Sequence, residues 1–260
     1  MAFGPENRYA FGGVAVPRPD TAAIDVGLRS YMLRVYNYMA SGVLLTGIVA
    51  LLIASSPEVA SLFYVRGRTA SGLVATAPTI LGWIAILSPL AFILVLSFGI
   101  NKLSAGATQA LFWAFSAVMG ISIANIFMIY TGTSVARVFF ITAGTFGAMS
   151  LIGYTTKRDL TKMGSFLMMG LIGIILASVV NIFIGSTALQ FAISVIGVLV
   201  FVGLIAYDTQ RIKNDYVQYS YAEGTNVAAK RSVMDALTLY LNFINLFQLL
   251  MQLLGNRSSE

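Results

Sequence analysis

In the stretch VGLIAYDTQRIK, residues 202–213, Asp208 closes an apolar run without a spacer and Arg211 stands three residues on. A second acid, Asp235, directly precedes the apolar run ALTLYL. From Asp235, the residues Thr238, Asn242, Asn245, Gln248 and Gln252 follow at steps of three or four. At about 100° per residue, that spacing puts all six on one broad helical face. Three kinds of chemistry are open to such a set. A carboxylate at membrane depth, facing a polar stripe, can bind and pass cations or protons. Two carboxylates can activate a water between them. The third reading is architectural: Asp208 marks a helix end and pairs with Arg211, while Asp235 caps the first turn of the next helix.

For Asp208 the choice turns on where its helix stops. A carboxylate at a helix C-terminus faces the negative end of the dipole and is disfavoured there. A helix that continues through Gln210 and Arg211 instead places Asp208 inside the bundle. For Asp235 the capping role is the expected one.

Two absences narrow the field further. The chain has no Cys and no His. Thiolate and imidazole metal sites, Cys nucleophiles and the Ser-His-Asp arrangement are therefore excluded. No catalytic residue, cofactor or resident metal is expected, and the chain is not expected to be an enzyme. Any response to pH near neutrality has to come from a carboxylate.

The elements that position these residues follow from composition. Of 260 residues, 58% are hydrophobic and 10% charged, with a mean hydropathy of +0.84. Soluble domains carry about 25% charged residues, so this is a polytopic membrane protein. A spanning helix needs about 20 predominantly apolar residues. Seven candidates appear, at 38–55, 80–100, 107–130, 135–154, 165–185, 188–207 and 235–254. The expected fold is an all-α seven-helix transmembrane bundle over 38–255. Residues 1–37, broken by Pro5, Pro17 and Pro19, read as a flexible tail with a short amphipathic stretch near Tyr31–Tyr38.

Lys and Arg set the orientation. With the N-terminus inside, the inner segments carry twelve of these cations and the outer loops three. The N-terminus is thus expected in the cytoplasm if the host is bacterial. The side of the C-terminus stays open, depending on whether the seventh segment spans. The net charge of +6 fits this bias and anionic lipid headgroups, and no nucleic-acid partner is expected.

A polar stripe along a spanning helix cannot face lipid, so the seventh span is expected at the centre. Small residues four apart (Gly120 with Ala124, Gly147 with Ala143, Gly173 with Ala177) are candidate close contacts between helices.

Three segments carry a family resemblance: FGAMSLIGYTTKRDLTKMGSFLMMGLIGIILASVVNIF (146–183), IGVLVFVGLIAYDTQRIK (196–213) and ALTLYLNFINLFQLLMQLLG (236–255). They resemble the Bax inhibitor-1 family, also called the transmembrane Bax inhibitor motif family, and its bacterial YccA-like members in particular. The resemblance spans about residues 30–255. It implies seven helices with the last at the centre, a cytoplasmic N-terminus, and a calcium leak. In that leak a pair of aspartates, on the sixth and seventh spans, closes the path and senses pH. The first of the pair falls on Asp208. The second falls on Asn242, where this chain departs from the pattern.

That departure has a physical consequence. Two carboxylates can share a proton, and a shared proton makes a closure that responds to pH. An amide opposite Asp208 has no such proton to share, and it can donate a hydrogen bond to the ionised carboxylate. The pair is expected to stay closed over a wide pH range, with pH sensing weakened. Asp235 lies seven residues from Asn242, about 10 Å along a helix, too far to replace it directly. Candidate path or gate residues are therefore Asp208, Asn242, Asp235, Thr238, Asn245 and Arg211, with calcium as the ion implied.

Two other readings stand beside the leak. Bacterial relatives are associated with the membrane protease FtsH, and the N-terminal tail would suit such a partner. An intramembrane aspartyl protease is the remote alternative. Against it, Met234-Asp235-Ala236 stands where a Gly-x-Gly-Asp element would be needed. The sequence leaves the oligomeric state and the ion carried open.

Overall fold

A computed structural model describes residues 21–258, apart from 69–71, 73, 100–101 and 220–224. Eight helices follow in order: α1 (Thr21–Ser55), α2 (Pro57–Phe63), α3 (Ile80–Gly99), α4 (Ala105–Ile129), α5 (Gly132–Thr155), α6 (Thr161–Ile184), α7 (Thr187–Tyr219) and α8 (Thr225–Leu254). All but α2 are long and apolar enough to cross a membrane. Their apolar side chains point outward in large numbers, including Phe98, Phe140, Ile182 and Phe183. Lipid is the solvent that accepts such a surface.

Every expected span exists, but three helices run well beyond it. α1 starts at Thr21, so residues 21–37 are helical rather than a flexible tail. α7 continues to Tyr219 and α8 begins at Thr225. The rest of the expected tail, residues 1–20, lies outside the described residues.

α8 is the central helix. It packs against α1, α4, α5 and α7, while α3 leans on α4 and α6 on α7 as an outer layer. Its sequence allows this, because both faces bury: Leu239, Tyr240, Leu246 and Met251 are almost wholly enclosed. Tyr240 ends in a hydrogen bond with Thr46 Oγ1 at 2.6 Å, and the same hydroxyl of Thr46 donates to the Ser116 carbonyl at 2.8 Å. One aromatic side chain on α8 thereby ties α1 to α4.

The segment between α2 and α3 forms an antiparallel hairpin, β1 (Tyr64–Arg68) and β2 (Val74–Pro78), with Arg66 opposite Thr76. The span pattern shows only a loop there. Tyr64 anchors the hairpin, donating to the carbonyls of Ile121 and Ser122 at 2.9 and 2.8 Å. Burial pushes its phenol up to about 12. The C-terminal segment lies at this same end. Ser258 N donates to Ile129 O at 2.8 Å, Thr131 N to Asn256 O at 3.0 Å, and Val74 N to Ser258 O at 3.1 Å. Because α8 crosses the bundle completely, Ser258 lies on the face opposite the start of α1.

The small-residue pairs divide. Gly120 packs against Thr46 and Val49 of α1, where a Cβ would come 2.7 Å from the Thr46 carbonyl oxygen. Gly147 and Gly173 are not packing positions, since a Cβ there meets nothing within 4 Å. The tight contacts fall elsewhere, at Gly153 against the Ala206 backbone and at Gly164 against the Tyr207 ring. Spacing finds small residues but does not tell which side of the helix meets a neighbour.

Candidate functional site at the contact of α7 and α8

The continuation of α7 decides the position of Asp208. Eleven further residues follow it within the helix, about 16 Å of axis, so it is not a boundary residue. It is only 7% exposed, and Asn242 on α8 is 6% exposed. Asn242 Nδ2 donates to Asp208 Oδ2 at 2.8 Å. On the other oxygen, Arg211 closes an ion pair at 3.0 Å. Both carboxylate oxygens are therefore engaged, one by an amide from α8 and one by a cation a turn along α7. The Arg211 side chain stays 41% exposed, while its Nε is buried with no hydrogen-bond partner.

The neighbouring residues spread outward from the same turn of α7. Thr209 Oγ1 lies 3.1 Å from Ser150 Oγ on α5, and Ser150 Oγ lies 2.5 Å from the Tyr36 hydroxyl on α1. Gln210 accepts from Leu160 N at 2.9 Å and donates to Arg158 O at 2.8 Å, holding the α5–α6 loop. Lys213 Nζ donates to Tyr154 O at 2.7 Å. The run Tyr207–Lys213 is thus a junction: Thr209 and Lys213 reach α5, Gln210 holds the α5–α6 loop, and Asp208 is aimed at the central helix.

Asp235 is not a helix cap. Ten residues of α8 precede it, because the run AAKRSVM extends the helix with good helix formers. Its Oδ2 accepts from the Tyr31 hydroxyl of α1 at 2.6 Å. Arg211 stands within electrostatic reach of it as well as of Asp208. The two carboxylates are bound to different partners and do not hydrogen-bond one another, which is not the geometry of a proton-sharing pair.

The stripe on α8 is therefore used in three places. Asp235 meets Tyr31 near the start and Asn242 meets Asp208 in the middle. Gln252 accepts from Gln190 at 2.6 Å and from Ser194 at 2.8 Å near the end. Thr238 bonds back to the Met234 carbonyl at 3.2 Å, and Asn245 is half-buried one turn beyond Asn242. Neither touches Asp208. Sequence reasoning missed Tyr31, Tyr36, Ser150 and Gln190. The amphipathic stretch at Tyr31–Tyr38 was the one signal for the first two.

Chemically, the arrangement is a closed polar contact between two helices at membrane depth. It engages both oxygens of one buried carboxylate, one through a buried amide and one through a partly exposed guanidinium.

Comparison with known proteins places the chain. The family model described as "Inhibitor of apoptosis-promoting Bax1" matches residues 28–259. The chain belongs to the Bax inhibitor-1 family. The inner membrane protein YbhL of Escherichia coli is 47% identical over 242 residues, covering 93% of this chain and 98% of the relative. A Rickettsia prowazekii protein is 48% identical, covering 90% of this chain and 92% of its own. A Caulobacter vibrioides protein is 44% identical, covering 96% and 97%. Like other Bax inhibitor-1 proteins of this kind, the chain is an integral membrane protein.

Proposed function

We propose that the chain is a cation leak of low conductance, with calcium as the ion, held shut by the Asp208 contact. The excess of Lys and Arg on one side supports an N-terminus in the cytoplasm. The observation that carries this reading is the double engagement of Asp208, by Asn242 at 2.8 Å and Arg211 at 3.0 Å. An ionisable residue kept at membrane depth marks an ion path more often than a structural pin, and this one is sealed rather than solvated. Asn242 makes the closure an amide–carboxylate latch. Protonation has only one carboxylate to act on at this contact, so the response to pH is shallow.

The test is calcium flux into liposomes holding the full chain, followed between about pH 6 and pH 8, a window well above the ordinary Asp value of about 3.9. The native chain should give a low flux that changes little across it. Asn242→Asp should introduce a marked pH dependence. A native chain that already gates steeply with pH would overturn the role given to Asn242. An absence of flux in both would overturn conduction itself.

A further inference from the structure

The seam between α1 and α5 is open. α1 packs on α4 and α8, and α5 on α7 and α8, while the hydrogen bond between Tyr36 and Ser150 bridges the gap. Two cavities lie along it in series, of about 550 and 350 Å³. Arg29, Met32 and Met39 of α1 line the first, with Phe146, Gly147 and Ser150 of α5. The second is almost wholly apolar and lies between Gly47 and Ala136, with Phe243 and Phe247 of α8 behind. Phe243 stands at the waist, its ring centroid 5.7 Å from Phe146 and 5.8 Å from Phe139.

The first cavity has the dimensions and polarity of half a bilayer. Along α1 it runs from Arg29 to Ala40, about 16 Å at 1.5 Å per residue, against a hydrocarbon core of about 30 Å. Its outer end carries Arg29, which among the described residues has no carboxylate partner. Below Arg29 the wall is mostly aliphatic and aromatic, and it includes Phe146, whose ring packs edge-on against Phe243. A transmembrane helix is too wide for this slot: at about 10 Å across it would have to break the Tyr36–Ser150 contact. A flexible chain with an anionic head fits both the width and the charge.

We infer that an anionic phospholipid of the leaflet on the Arg29 side occupies this cleft, one acyl chain between α1 and α5 and its phosphate on Arg29. The chain then lies against Phe146, whose ring packs on Phe243, the residue after Asn242, so the lipid is one side chain away from α8 beside the Asp208 contact. The inference is independent of calcium conduction, because it is read by bound mass and not by flux.

The experiment is native mass spectrometry of the full chain in detergent, titrated with phosphatidylglycerol or phosphatidylcholine. One phosphatidylglycerol per chain should survive detergent that strips phosphatidylcholine. Arg29→Gln, a change at an exposed position, should weaken phosphatidylglycerol retention about fivefold, the value of one basic residue at an anionic surface. Gly147→Phe should fill the cleft and abolish the adduct. Equal retention of the two lipids by the native chain would overturn the inference. So would phosphatidylglycerol retention that neither substitution alters. A lipid-free dimer that Gly147→Phe dissociates would assign the cleft to a second copy and overturn it as well.

Discussion

Asp208 is held by two unequal partners, and their removal should separate them. Arg211 is partly exposed, so its ion pair falls near the surface range, and Arg211→Gln should cost about 0.5–1 kcal/mol. Asn242 is buried, and Asn242→Leu strips a buried carboxylate oxygen of its one donor among the described residues, a loss of about 1–3 kcal/mol. Thermal unfolding in one detergent should rank Asn242→Leu below Arg211→Gln. The reverse order would mean that the cation, not the amide, holds the contact. Flux should follow the other order. Arg211 stands on the accessible side with an unsatisfied Nε, so Arg211→Gln should raise the leak several-fold if this cation is the part that moves. Asp159 supplies a control outside the membrane. Its carboxylate accepts from the Thr161 amide and hydroxyl at 2.9 and 2.5 Å, which hold its pKa below the usual value. The stability it lends is present above about pH 4 and is lost only as pH falls below that. Asp159→Asn should therefore leave the flux profile between about pH 6 and pH 8 unchanged.

The helices were legible in the sequence and their ends were not, for one reason at all three long helices. Loss of apolar character marks where the bilayer stops, not where the backbone stops being helical. Residues 21–37 of α1 and 225–234 of α8 are amphipathic, 208–219 of α7 are mostly polar, and all are helical. The capping role expected of Asp235 failed on this point, and Asp208 changed from a possible helix end into an interior residue. The pairing of Asp208 with Asn242 was legible, because the stripe and the family pattern both pointed there. Tyr31 on Asp235 was not, since a contact between residues 204 apart leaves no local pattern. Packing glycines hide in the same way, and they can be tested element by element. Gly153→Ala puts a Cβ into the Ala206 backbone, which cannot yield as a side chain tip could, and should lower stability by about 1–3 kcal/mol. Gly147→Ala meets open space and should be neutral or gain up to about 1 kcal/mol from helix propensity. Equal losses from the two, in parallel thermal melts, would show that α5 does not rest on α7 through Gly153.

At the scale of the molecule, the two ends of the bundle are fastened by different contacts. The end with the α5–α6 loop gathers the cations Lys102, Lys157, Arg158 and Lys162, and the Asp208 junction lies just beneath it. The other end carries the hairpin and the C-terminal segment, pinned together by Val74, Ile129 and Thr131. Near that end the side chains of Asn181, Gln190 and Gln252 join α6, α7 and α8 in a chain of hydrogen bonds. One end is thus fastened by backbone and amide ladders, while the other is held by side-chain contacts alone at Asp208, one of them to a partly exposed Arg. Any opening motion should be larger at the cation-rich end. The absence of native Cys makes both claims measurable with single introduced thiols. With the cation-rich end in the cytoplasm, Lys102→Cys and Lys157→Cys should react with a membrane-impermeant maleimide only after the inner face is exposed. Arg68→Cys and Arg257→Cys should react from the outside of intact cells. Protection of Arg257→Cys alongside Lys157→Cys would mean that α8 turns back rather than crosses, and the strap from Ile129 to Ser258 could not then exist. In liposomes, an Arg211→Gln background should speed labelling at Lys157→Cys and leave Arg257→Cys unchanged, because the ladders at the far end do not depend on the Asp208 contact.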